Sequence, residues 1–123
     1  MLVDALGNPL KFILTSGAAG DNPQALPLLA GQRAQEVLAD RSYDADATIA
    51  YIEQELRATA TIPPQPRRAQ PRACDYAAYK ERHLIECFIG KLKYFRRVFS
   101  RFDKYASRFL AFIHFASTTI WLK

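Results

Sequence analysis

The stretch DYAAYKERHLIECFIGKLKYFRRVFSRFDK, from Asp75 to Lys104, decides how the chain is read. Placed on a helix that turns about 100° per residue, it divides into two opposed faces. Leu84, Ile85, Phe88, Leu92, Phe95, Phe99 and Phe102 fall within an arc of roughly 100°, the width of a core-facing stripe. Opposite them Tyr79, Arg82, Glu86, Lys93, Arg97 and Lys104 fall within about 60° by the same arithmetic. One carboxylate therefore stands among cations and a phenol on the side that is not packed. A solvated basic face accounts for the charges alone; the order of residue types adds a second reading, reached below. Asp75 is placed to cap this helix, and Gly90 lies inside it at a cost of up to about 1 kcal/mol relative to alanine.

Working outward, the 123 residues suffice for one domain with a core but not for two. Half are apolar, including eight Phe, six Tyr and one Trp, which excludes a disordered chain. Cys74 and Cys87 show neither metal-ligand spacing nor a disulfide framework, so a loop thiol and a core thiol in a reducing compartment are expected. The opening MLVDALGNPL lacks the basic start and apolar run of a signal peptide. From Phe109 to Leu122 the chain is apolar, but His114 interrupts a run already too short to span a bilayer. A soluble, cytoplasmic protein is expected.

Charge is unevenly placed. Residues 1–66 carry 4 Lys/Arg against 8 Asp/Glu, whereas residues 67–123 carry 13 against 4. A basic half with interleaved aromatics is the footprint of a polyanion, and nucleic acid fits it better than a membrane surface.

Taken in order, residues 1–62 read as strands with two helices. Leu2–Ala5 and Leu10–Thr15 form a hairpin about the turn at Leu6–Pro9. Asn22 caps a short helix with Pro23 at its first position, ending at Gly31. Glu36–Ala39 is a strand that delivers Asp40 at its carboxyl end, the edge of an open α/β sheet where ligands bind. The bland alternative for Asp40 is to bond nearby backbone amides. Asp44 is placed to cap a helix over residues 45–57, with Ile49, Ile52 and Leu56 as its apolar face. Residues 58–62 form another strand. PPQPRRAQPR, residues 63–72, holds four prolines and can sustain neither helix nor ladder. It belongs to a basic linker, residues 63–74, in which Arg67, Arg68 and Arg72 either grip DNA or keep the segment soluble. Residues 75–123 are helical, Asp103 capping a last helix whose core residues are Phe109, Phe112, Ile113, Phe115, Ile120 and Trp121.

The spacing of Tyr79, Arg82, Glu86 and Lys93, with two, three and six residues between them, resembles the Tyr-Arg-Glu-Lys signature of bacterial insertion-sequence transposases with a DDE catalytic triad. RHLIECFIGKLKYFRRVFSRFDK (82–104) resembles that family's stretch around its catalytic Glu. LADRSYDAD (38–46) resembles the segment around its second Asp, and VDALGNPLKFILTSG (3–17) the preceding strand pair. The resemblance spans nearly the whole chain. It implies an α/β, ribonuclease-H-like mixed sheet flanked by helices, with a helical C-terminal third. It also implies metal-assisted DNA strand cleavage and transfer, with Asp40 and Glu86 as catalytic acids holding magnesium (or manganese). Tyr79, Arg82 and Lys93 would contact phosphates at the terminal inverted repeats, and Arg97, on the same helix face, is a further DNA-binding candidate.

Departures from the family pattern carry their own expectations. The strand bearing the first triad Asp has no counterpart, so the sheet is expected to be incomplete and the chain alone inactive. A second copy or a partner polypeptide would supply that acid. Asp4 matches a position just before the hairpin turn and is not a candidate. Arg41-Ser42 replaces the family's common Lys-Gly. The chain thus reads as a carboxy-terminal part, either a truncated copy or the second frame of a split gene. The alternative is a non-catalytic basic DNA-binding module. His83 has no second His at ligand spacing and reads as a surface residue; His114 reads as a core-edge histidine.

Overall fold

The computed structural model describes residues 1–16, 19–95 and 106–122. It has a mixed α/β architecture that divides into two units, one made of Met1–Leu14 with His83–Lys123, the other of Thr15–Arg82. Hydrogen bonding joins the strands in two pairs, and no ladder links the pairs among the described residues.

In the first unit β1 (Leu2–Val3) and β2 (Pro9–Lys11) are antiparallel, with Leu2 opposite Lys11 and Val3 opposite Pro9. The turn between them is closed by Asp4, whose carboxylate accepts from the amides of Leu6 (2.8 Å) and Asn8 (2.9 Å) and from Asn8 Nδ2 (3.2 Å). Gly7 occupies φ +84°, a conformation that costs a residue with a Cβ. Asp4 thus has a turn-closing role.

α4 (His83–Lys93) lays Phe88 and Leu92 against Ala116 of α5 (Ala106–Trp121), with Met1, Val3, Phe12, Phe95 and Ile120 packed around them. Phe12 meets Phe88 at 6.2 Å between ring centroids and His114 edge-on at 5.4 Å. The apolar stripe read from the sequence is therefore the packed one as far as it is described: Phe88 and Leu92 are buried, and Leu84, Ile85 and Phe95 half-buried. Phe99, Phe102 and the expected cap Asp103 lie outside the described residues.

Two expectations in this unit need correction. Cys87 is exposed, being one residue and about 100° round the helix from Phe88. On α5, Ile113, Ala116 and Ser117 are buried, whereas Phe115 and Trp121 are each 64% exposed. Phe115 lies about 200° round from Ile113, and Trp121 is the last helical residue at the stripe's edge. His114, expected at the core's edge, is exposed and meets Phe12 edge-on.

In the second unit β3 (Glu36–Leu38) runs parallel to β4 (Thr59–Thr61), pairing Glu36 with Thr59 and Leu38 with Thr61. The connection is α2 (Asp46–Ala50), which widens into a π turn at Tyr51–Glu55, marked by Leu56 N donating to Tyr51 O at 3.1 Å. Arg57 then ends the helix at φ +53°. Ile49 and Ile52 are buried as expected, together with Leu28 and Leu29 of α1 (Ala25–Leu29) and with Ile62.

The caps of this unit differ from the sequence reading. Asn22 lies inside a 3-10 turn (Asn22–Gln24), and its Oδ1 accepts instead from Thr48 Oγ1 at 3.1 Å. Ala45, not Asp44, occupies the cap position of α2, and no side chain bonds there. Asp75 caps α3 (Tyr76–Tyr79), accepting from Ala77 N at 3.0 Å and Ala78 N at 3.2 Å. A 3-10 turn (Lys80–Arg82) follows α3 and interrupts the single helical register that the sequence reading assumed.

Burial sets the first expected outcome. Phe88→Ala should destabilise the fold by about 3–5 kcal/mol, the range for a buried Phe, while Cys87→Ala should change stability by less than about 0.5 kcal/mol. Denaturant unfolding followed by circular dichroism measures both; equal effects would refute this assignment of faces.

Candidate functional site

β3 ends at Leu38, and Ala39 N still reaches Thr61 O at 3.5 Å, so the parallel ladder delivers Asp40 at a strand's carboxyl end. Asp40 has extended backbone (φ −76°, ψ 174°) and caps the 3-10 turn Arg41–Tyr43. Its Oδ1 accepts from Ser42 N at 2.9 Å and from the Ser42 hydroxyl. Both the sequence's bland reading and its strand-end placement thus hold for one residue. Oδ2 accepts no hydrogen bond from the described residues, and the side chain is half-exposed. Beside it, burial and the carboxylates of Asp21 and Asp40 push the Tyr43 phenol above its ordinary pKa, so Tyr43 remains a neutral hydroxyl.

Asp44, four residues on, is the most constrained charge in this unit. Its side chain has no exposed surface. Oδ2 accepts from Gln65 N at 2.7 Å and Arg68 Nε at 3.0 Å, and Oδ1 from Arg72 Nη2 at 2.9 Å. Arg68 also pairs with Asp46 at 2.7 Å, and Arg72 Nη2 reaches Ile62 O at 3.2 Å. Gln65 Nε2 donates to Arg41 O at 2.6 Å. The Pro/Arg segment is therefore pinned rather than free, and Arg68 and Arg72 are engaged within the fold. The sequence reading missed this because an Asp ahead of an apolar-periodic run is read as a cap. The available signal was the long-range one: a buried carboxylate needs cations, and residues 67–72 supply three.

The four signature residues fall in both units. Tyr79 and Arg82, half-buried, are brought together, with the guanidinium carbon 5.4 Å from the Tyr79 ring centroid. Tyr76 meets Tyr79 edge-on at 6.3 Å, so the Tyr79 ring contacts both a second ring and a cation. Glu86 and Lys93 belong to α4, where both are exposed while Phe88 and Leu92 of the same helix are buried. Arg97 and Lys104 lie outside the described residues. His83 is exposed, as expected.

Among the described residues no group of three or more His, Cys, Asp or Glu side chains converges as a metal site. No helix among them is long and apolar enough to cross a membrane.

The strand-end carboxylate of Asp40 and the Tyr79, Arg82, Glu86 and Lys93 series thus stand in the segments on which the sequence resemblance rests. The family model described as "Transposase DDE domain" matches residues 37–123. A protein of Brucella ovis named "Putative transposase for insertion sequence element IS6501" is 46% identical over 123 residues, covering 99% of this chain and 95% of that relative. No solved structure matches. The chain belongs to the DDE transposase family of insertion sequences.

The Asp44 cluster has a defined acid response. Burial opposes its ionisation, but the Gln65 amide and the guanidiniums of Arg72 and Arg68 outweigh it and hold its pKa below the ordinary carboxylate value. A depressed folded-state pKa gives stability that is present above the unfolded value of about 3.9 and lost as pH falls through the lower folded value. Protection of the Gln65 amide from hydrogen exchange, corrected for intrinsic rate, should stay level from neutral pH to about 4 and fall below that. Loss of protection at pH 5–6 would contradict the assignment.

Proposed function

We propose that this chain is the catalytic part of an insertion-sequence transposase, acting by magnesium-dependent cleavage and transfer of DNA strands at the element's ends. Membership of the DDE family carries this reading, and Asp40 at the carboxyl end of β3 with one oxygen unengaged supports it. In it the fold is ribonuclease-H-like, and Asp40 and Glu86 are two acids of the triad.

The donor chemistry fits the metal: both candidates are carboxylates, the hard oxygen ligands magnesium takes, and both have solvent access. Two carboxylates alone do not make a closed site for such an ion. When bound, magnesium would supply Lewis-acid activation of an oxygen nucleophile and neutralise charge at the phosphodiester. The rest falls to the chain's own groups. Tyr79, in contact with Tyr76 and Arg82, would present a phenolic donor, and Arg82 and Lys93 would add cationic grip on phosphates. Arg97 is assigned the same role from its place in the sequence. These contacts fix the DNA's register; they carry no base information.

Two measurements test this. In a complete transposase carrying this sequence, Glu86→Gln and Asp40→Asn should each lower cleavage of terminal-repeat DNA by about three orders of magnitude or more, roughly 4 kcal/mol of transition-state stabilisation, with DNA binding retained. Near wild-type cleavage by either variant would sink its assignment. Lys93→Ala should instead weaken binding to all DNA sequences alike and lower the salt dependence by about one phosphate contact.

A further inference from the structure

Asp40 caps a turn of three residues, and a 3-10 turn of that length has little stability of its own because its hydrogen bonds are poorly aligned. The Asp40 side chain is tied to that turn through Ser42, so its carboxylate points only as definitely as the turn is held. The turn is held from outside. Arg41 O accepts from Asp44 N at 3.1 Å and also from Gln65 Nε2 at 2.6 Å. Gln65 donates its backbone N–H to Asp44 Oδ2 at 2.7 Å. A single residue of the Pro/Arg segment thus grips both ends of the turn that begins at Asp40. Arg68 and Arg72 then lock that segment through the two oxygens of Asp44, and Arg72 ties it to the end of β4 through Ile62 O.

We propose that Asp44 and Gln65 are positioning residues, bracing the 40–44 turn against residues 62–72 and thereby setting the orientation of the Asp40 carboxylate. Neither touches the reacting atoms. Their role corresponds to the outer hydrogen bonds that orient metal-binding carboxylates and whose loss degrades a site that keeps its ligands. The catalytic consequence rests on the reading of Asp40 given above; the bracing itself does not. It also gives the four prolines a use. A segment with few accessible backbone conformations loses little entropy on docking, so its hydrogen bonds hold the turn more firmly than those of a flexible loop would.

The test uses the purified 123-residue chain and nuclear magnetic resonance on wild type, Gln65→Ala and Asp44→Asn. Gln65→Ala removes the bond to Arg41 O and leaves the Asp44 carboxylate and its two arginines in place, so it decides the matter even if Asp44→Asn does not fold. Hydrogen exchange of the Ser42 amide should accelerate about tenfold in Gln65→Ala. The Asp40 α–β couplings should shift toward rotamer averaging. The Ala58 amide, bonded to Ile52 O at 2.9 Å in the same unit, should keep its wild-type protection. Unchanged Ser42 exchange and Asp40 couplings would overturn the proposal. So would acceleration of Ser42 and Ala58 by the same factor, which marks a general structural role. A catalytically silent Asp40→Asn in a complete transposase would remove the functional reading and leave these measurements standing.

Discussion

The second unit depends on one buried charge. A carboxylate with no solvent contact is tolerated only when its lone pairs are filled by donors, cationic ones above all. Asp44 meets that condition with one amide and two guanidiniums, all from the segment between β4 and α3. The dependence is mutual. Residues 63–72 cannot form a ladder or a helix, because proline removes amide donors and fixes φ. Without an acceptor to dock on they would be an unrestrained tether. One Asp solves both problems, and α3, with Tyr79 and Arg82, begins a few residues after the last bond of the cluster.

The same cluster changes how the basic half should be counted. The sequence assigns an excess of cations to residues 67–123, and all of it could be credited to a polyanion partner. Arg68 and Arg72 are already engaged with Asp44 and Asp46, their side chains only about one-fifth exposed. Releasing them toward DNA would leave a buried carboxylate unpaired, a cost that surface ion pairs do not carry. In the proposed function, attraction of DNA therefore falls to cations whose displacement unpairs nothing buried, and exposed Lys93 on α4 is of that kind.

What was legible in the sequence follows from the range of the forces involved. The hairpin turn, the strands around Val37 and Ala60, the Asp75 cap and the packing of Phe88 and Leu92 are set by neighbours within a few residues or by helical periodicity. Those were read correctly. Asp44 was misread because local rules made it a cap, whereas partners 21 to 28 residues away claimed its oxygens. Cys87 and Phe115 were misread because apolar type was taken for burial, and helices leave such residues outside the stripe. The break at Lys80–Arg82 carries no proline or glycine to announce it, so an uninterrupted register was the natural reading. Of the candidate site, the residue types and the strand-end position of Asp40 were legible. The pairing of Tyr79 with Arg82 was implicit in their three-residue separation and needed coordinates to see.

The bond from Ser42 to Asp40 raises a question that bears on all such acids: does a capping role argue against a catalytic one? The geometry says that the two are compatible. A carboxylate has two oxygens and about four acceptor sites, and capping occupies only Oδ1. The remaining oxygen is then held at a fixed angle, which a freely rotating side chain could not offer. A pure cap has no further need of Oδ2 and gains nothing when the turn beneath it is braced from a distant segment. A ligand-holding acid gains from both, since an error of an ångström in its placement is costly at a reacting centre. In the proposed function, the buried ion cluster behind this three-residue turn then serves an acid whose direction matters.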